Sequence, residues 1–424
     1  MSRPPGIART TLDRHLTALR HRDYRTLWIA TLSGGAASWA LIVARGWLVF
    51  TLSGSSAWVG VTTFAAMAPM FIMPPVAGFL ADRMDRRALL AWVFAAQLAH
   101  NLVLAGLALT GTIAIWHLIA LSVVDGVARA TQMPASQALL PNLVPKEDLL
   151  NAVALNSATM QGSRLVGPGL IAPLMATVGA AGAFALCTVF YAVGLIFVLR
   201  IRTRSRGQMA ADKGGVQNFF AGLLYVYRHP VLLPLFTVVV LHCALTMSFE
   251  TLLPVVSDER LGAGGVGATY LMMGVGAGAF LGALAIAGVQ STQTRGRLLL
   301  LTAVASGLAP IGLALSTNMP LAALATAGMG ASQAGFMTIS ATIIQSVVPD
   351  DIRGRVMSVY LWHIGGMMAS INLMNGALAD AVGAPVLLTI TGLAFLAAVP
   401  VSLLRFRLRR LYMRGTVALE APAT

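Results

Sequence analysis

Apolar stretches of roughly 19 to 27 residues recur along the chain, broken by polar connections, and each is long enough to cross a ~30 Å hydrocarbon layer as a helix. The first six run Leu27 to Leu52, Ala57 to Leu80, Ala88 to Thr110, Ile113 to Met133, Ala152 to Val178 and Ala181 to Leu199. Six more run Val231 to Val256, Gly264 to Val289, Leu298 to Ser316, Leu321 to Val347, Val356 to Ala381 and Ala384 to Leu404. The pattern predicts an all-α membrane protein of twelve spanning helices in two six-helix bundles, residues 27–199 and 231–404. A short segment (1–26), a polar linker (200–230) and a tail (405–424) complete the division. Near the ends of the fourth and tenth stretches, QALLPNLVPKEDLLNAVAL and ATIIQSVVPDDIRGRVMSV align Pro145 with Pro349, a shift of 204 residues (349 − 145), as expected of parallel duplicated halves.

Composition agrees with this solvent. Hydrophobic residues make up 57% of the 424 and charged residues only 10%, against about a quarter charged in soluble domains. The formal net charge of +14 would point to nucleic acid in a soluble protein, but most of the Lys and Arg sit in alternate connections or at the two ends. That is the positive-inside bias of a multispanning chain, and it places both termini in the cytoplasm, in a bacterial-type inner membrane. The basic ends can also rest on anionic headgroups. No apolar core with a cleavage site precedes Tyr24, so no cleavable signal peptide is expected. Cys187 and Cys243 lie in separate apolar stretches, too sparse for a disulfide framework or a metal site. Gly274, Gly278 and Gly282 are spaced for close helix packing.

Ionisable groups at membrane depth are costly, so each is a functional candidate. Asp125 and Arg164 each lie 12 residues into their stretches from opposite sides, about 18 Å deep at 1.5 Å per residue. They are expected to pair, either as a switch that loosens when Asp125 takes a proton or as a static cluster that fixes packing. Arg129 shares the Asp125 face. Arg45 and Glu250 lie about 10 Å and 9 Å below one end of the first and seventh stretches, at nearly equivalent places in the repeat. They would bridge to close the outer gate, or each would snorkel to the interface. His242 near mid-depth is a proton carrier, a substrate contact or a packing histidine; His100 and His117 have weaker claims. Trp39 can stack on a flat substrate, but at six residues from Arg45 the two point about 120° apart. No nucleophile, base and orienter set that would make an enzyme is recognised. No phosphate-cradling loop is present either, so the energy source is expected to be an ion gradient, foremost protons.

The connection Gly78-Phe79-Leu80-Ala81-Asp82-Arg83-Met84-Asp85-Arg86-Arg87 resembles the signature loop of the major facilitator superfamily. Asp85 stands where glycine is usual, as in the branch that contains siderophore exporters and macrolide-efflux proteins. Trp47-Leu48-Val49, Leu52-Ser53-Gly54-Ser55, Pro134-Ala135 with Gln137, Asn151-Ala152, and Pro349 with Arg353-Gly354-Arg355-Val356 are similar to the same branch. Gly162 and Gly167-Pro168-Gly169 resemble the exporters' antiporter motif, with Ile171-Ala172 replacing its last glycines. The resemblance implies a monomeric, proton-coupled exporter of a small amphipathic molecule, siderophore or drug-like, with no cofactor and no metal. On that reading Asp82, Arg83, Arg86 and Arg87 brace one conformation, and Trp39, Arg45 and His242 border the substrate cavity. An uptake porter or a lysophospholipid mover of the same fold, or a non-transporting membrane sensor, are the alternatives.

Overall fold

A computed structural model describes residues 17–73, 83–205, 215–287, 289 and 291–414. Among them there is no strand. Six long helices form the first half: α1 (Arg22–Ser53), α2 (Ser56–Met67), α3 (Arg86–Leu109), α4 (Ile115–Leu139), α5 (Leu149–Thr177) and α6 (Ala180–Arg200). A short helix, α7 (Gly215–Arg228), follows in the linker. The second half is α8 (Leu232–His242), α9 (Gly264–Ala287), α10 (Thr292–Leu315), α11 (Met319–Val347), α12 (Asp350–Val382) and α13 (Ala384–Leu404), then a basic tail helix α14 (Phe406–Arg414).

Seven helices among the described residues are each long and apolar enough to cross a membrane: α1, α2 with its continuation to Met73, α3, α6, α9, α10 and α13. The α7 and α8 pair passes only as a unit and is bent by 104°. The remaining long helices, α4, α5, α11 and α12, hold polar side chains at mid-length: Asp125 and Arg129, Arg164, Gln333, and Asn372 with Asn375. Polar groups lower the mean hydropathy of a helix, and they are tolerated at that depth because they face protein and not lipid.

Within the first half α1 packs on α5 and α6, and α3 on α4 and α6; within the second, α9 and α10 pack on α11, and α10 on α13. The halves meet along two seams, α2 on α12 and α5 on α9. Small residues set the close approaches. A methyl group on Gly278 would sit 1.8 Å from the Ala327 carbonyl oxygen, and one on Gly330 1.9 Å from that of Val275. In lipid, such packing stands in for the hydrophobic drive between helices. We therefore expect Gly278→Val and Gly330→Val each to destabilise by roughly 1–3 kcal/mol or more, read as a loss of monodisperse protein on heating in detergent. Gly312→Ala, whose methyl group would meet only Ala325 at 3.6 Å, should be silent.

The end opposite the linker carries tight turns, with Gly54 (φ +63°) closing α1 and Gly111 (φ +69°) following α3; both use the left-handed conformation that glycine adopts cheaply. At the linker end, Asp23 accepts from the Thr203 hydroxyl at 2.6 Å and from the backbone N–H groups of Thr203 (2.8 Å) and Arg202 (3.0 Å). Burial pushes this carboxyl up, but the three hydrogen bonds outweigh it and hold Asp23 below its ordinary value. The clamp is thus complete at neutral pH and is lost only as pH falls through that lowered value. The expected polar linker is in part helical: α7 lies on α12, where Gly222 comes close to the Arg355 carbonyl.

Candidate functional site

The first half is built around a buried ion pair. The Arg45 Nη1 of α1 lies 3.5 Å from the Asp125 Oδ2 of α4, with the two side chains 6% and 1% exposed. Beside them lie His100 of α3 and Tyr191 of α6, with ring centroids 6.1 Å apart, and the Tyr191 hydroxyl is 3.4 Å from that of Ser38. Both ring nitrogens of His100 and the Asp125 Oδ1 are buried without a hydrogen-bond partner among the described residues. The expected Asp125 to Arg164 pair is therefore replaced by Asp125 to Arg45. Equal depth is necessary for two groups to meet, but the rotation of each helix decides which ones do.

Arg164 of α5 lies at the α5/α9 seam, its backbone close to Gly276 of α9. Its guanidinium lies 4.6 Å from the Trp39 ring centroid, a cation–π contact, and its Nε finds no hydrogen-bond partner. No ion pair joins it to a carboxylate among the described residues. The expected Arg45 to Glu250 bridge is likewise absent, since Arg45 is engaged by Asp125.

Glu250 owes its place to a break that the expected continuous seventh helix did not contain. After α8 the chain turns through a π-helical turn, Cys243–Met247, and leaves helix at Ser248 (φ −89°, ψ 58°). Backbone groups freed inside a membrane must find partners, and amides from α11 and α12 supply them. Gln333 Nε2 donates to the Thr246 carbonyl at 2.8 Å and Asn375 Nδ2 to that of Ser248 at 2.6 Å. The Thr251 hydroxyl donates to Asn372 Oδ1 at 3.0 Å. These three amides escaped notice in the sequence, where their presence at mid-depth of two otherwise apolar stretches was the available signal. Interrupted helices are where transporters place their binding groups.

A cavity of about 120 Å³ opens between the halves, bordered by Trp39, Ile42, Arg45, Arg129 and Glu250, with Met67, Met70 and Met368 as its apolar wall. It is smaller than the roughly 300–1,000 Å³ of pockets that enclose a drug-sized ligand, so this conformation holds it contracted. Trp39 and Arg45 both border it despite their angular separation, because the cavity wraps round α1 and also touches Ile42 and Gly46. His242 does not border it. It is fully buried within the second half, bonded to the Ser306 hydroxyl at 3.0 Å and stacked on Phe336 with centroids 4.2 Å apart, with one ring nitrogen, Nδ1, unpartnered among the described residues.

At the far end from the linker, Asp380 near the end of α12 reaches across the seam to the start of α2. Its carboxylate accepts from the Ser55 hydroxyl, from the Ser56 N–H at 2.6 Å and from the Ala57 N–H at 3.3 Å. A carboxylate on the first N–H groups of a helix satisfies orphan donors and the dipole together. Nearby, Gly60 and Gly376 let the α2 and α12 backbones touch.

At the linker end, Asp85 caps α3 by accepting from Arg87 N–H at 2.9 Å. Arg86 donates to the carbonyl of Ala138 at 2.9 Å, and Arg87 to that of Leu199 at 2.6 Å. Gly78 and Asp82 lie outside the described residues, and Arg83 is engaged. In the second half Arg353 donates to the Val348 carbonyl at 3.2 Å. Of the antiporter-like residues, Gly167 allows α5 to meet the Ala36 backbone of α1, Gly169 touches Met273, and Gly162 faces open space; Pro168 sits inside α5.

Residues 14–420 match the model of a protein family described as transmembrane secretion effector. The chain belongs to that family. As expected from its loop residues, it is a multi-pass membrane transporter of the major facilitator superfamily, in the efflux branch, and not an enzyme. Similar members are the multidrug efflux pump Tap of Mycolicibacterium fortuitum (25% identical, covering 84% of this chain and 88% of that one) and the staphyloferrin A transporter of Staphylococcus aureus (22%; 82% and 87%). The macrolide efflux protein A of Streptococcus pyogenes is 22% identical, with 85% and 90% covered. Among solved structures, the nucleoside transporter NupG superposes with a TM-score of 0.74 at 12% identity over 91% of this chain and 99% of that one. A POT peptide transporter gives 0.73 at 12% identity over 92% and 95%. These likenesses establish the fold.

Proposed function

We propose that this protein exports a small amphipathic molecule from the cytoplasm in exchange for protons, by alternating access of the central cavity. All twelve long helices cross the membrane in this reading, the linker end is cytoplasmic, and the two six-helix groups rock about the α2/α12 and α5/α9 seams. The observation that carries the proton step is the buried Arg45–Asp125 pair, with its unpartnered carboxylate oxygen and the neighbouring His100. A buried carboxylate takes a proton most readily when its cationic partner moves away, and rocking that shifts α1 against α4 would do this. Protonation in turn frees Arg45, which borders the cavity. The Asp380 cap holds the far side closed.

Export as the direction rests on the efflux-named relatives. It is tested in everted membrane vesicles energised by respiration, loaded with a panel of dyes, macrolides and hydroxycarboxylate chelators. Accumulation of a compound that is abolished by a protonophore is the expected result. Accumulation only in right-side-out vesicles would replace export with uptake, and full tolerance of Asp125→Asn, Glu250→Gln and Arg45→Gln by cells would favour a sensor.

A further inference from the structure

Five charged side chains stand at membrane depth around the cavity, and their sum is not zero. Asp125 answers Arg45 at 3.5 Å, the Arg164 guanidinium lies over the Trp39 ring at 4.6 Å, and Glu250 borders the cavity. Three arginines against two carboxylates leave one positive charge over, and Arg129 carries it. It borders the cavity, and no hydrogen bond or ion pair reaches it among the described residues. Arg45 lies near enough to feel its repulsion. A guanidinium cannot shed its charge, and an unanswered cation at this depth is costly. A bound ligand is the natural source of the missing negative charge.

We propose that the transported molecule is an amphipathic anion, whose carboxylate or equivalent acidic group docks on the Arg129 guanidinium. This rests on the transport reading above and names the class of its substrate. The planar guanidinium fork suits a carboxylate bidentately. The Trp39 ring and the thioethers of Met67, Met70 and Met368 give the apolar body of the ligand a surface that adapts to its shape. Glu250, which the second half contributes to the same cavity, repels a second negative group and so orients the ligand. The charge sign also eases the energetics. Moving one negative charge out of a cell with a 100 mV inside-negative potential is favoured about fifty-fold, and each proton returning inward adds the same again.

The test is binding of three probes that share one fluorophore and differ in charge: dansylglycine (anionic), dansylamide (neutral) and dansylcadaverine (cationic). Energy transfer from protein tryptophan is followed at pH 7, with the full chain in nanodiscs of neutral lipid. We expect the wild type to bind dansylglycine at least about ten-fold more tightly than dansylcadaverine, the scale of one charge-assisted hydrogen-bonded pair. In Arg129→Gln that preference should fall to within about three-fold, while Arg129→Lys keeps most of it. Equal binding of the three probes, preference for the cation, absence of saturable binding, or an anion preference that survives in Arg129→Gln would each overturn the proposal. The wild-type comparison stands even if a variant fails to fold. Because binding is read without a gradient, an anion preference found alongside uptake in the vesicle experiment would retire the export reading and leave the ligand class standing.

Discussion

Replacing Asp125 with Asn is expected to abolish proton coupling and at the same time to destabilise the protein, and the two losses should separate on a second substitution. The Arg45–Asp125 pair is nearly solvent-free. Removing one member of a buried pair costs roughly 3–5 kcal/mol, because the other charge is left unanswered. Asp125→Asn should therefore lower the unfolding midpoint in detergent by several degrees, as should Arg45→Gln. The double variant Arg45→Gln/Asp125→Asn removes both charges and should recover most of the stability, because amides can still hydrogen-bond across the same gap. It should remain uncoupled, because the carboxylate that takes the proton is gone. Single-variant losses that simply add in the double variant would show that the two residues do not interact.

The second large effect is expected at Asp380. Its carboxylate ties the start of α2 to the end of α12 through the Ser55 hydroxyl and the Ser56 and Ala57 N–H groups, so it spans the two halves at the end opposite the linker. Charge-assisted bonds of this kind contribute about 1.5–3 kcal/mol, discounted here because the carboxylate is exposed. Asp380→Ala should thus move the equilibrium between the two open states by roughly one decade towards opening at that end. Spin labels at Thr110→Cys and Thr317→Cys, both exposed near that end of opposite halves, report the change by pulsed dipolar spectroscopy. A longer distance population should grow in Asp380→Ala and hardly at all in Asp380→Glu. Unchanged distributions in Asp380→Ala would mean that the cap contributes nothing to closure.

Helix positions and the family could be read from the sequence because a membrane imposes a simple rule, long apolar stretches bounded by charge, and because Asp85, Arg86 and Arg87 sit in a recognisable loop. The set of charges that matters was also visible: Arg45, Arg129 and Glu250 border the cavity, with Asp125 against Arg45 and Arg164 against Trp39. Their pairing was not visible. Depth follows from counting residues, but azimuth depends on how each helix rotates against its neighbours, and so Arg45 takes Asp125 while Arg164 lies over the Trp39 ring. The break at Ser248 was hidden for a related reason. Nothing between His242 and Glu250 is a strong helix breaker; the interruption is supported by Gln333, Asn372 and Asn375, which are remote in sequence. His242 shows the converse case, a titratable residue at the right depth whose face turns into the second half, against Phe336 and Ser306.

The most direct test of the account is uphill transport in proteoliposomes, with the wild type beside the Arg45→Gln/Asp125→Asn double variant, using whichever compound the vesicle panel identifies. Under an imposed pH gradient without added substrate gradient, the wild type should concentrate the compound on the acidic side and acidify the opposite compartment as it does so. The double variant should only equilibrate the compound down its own gradient, with no proton movement. Uphill transport that persists in the double variant would place the coupled proton elsewhere and contradict the role assigned to the Arg45–Asp125 pair.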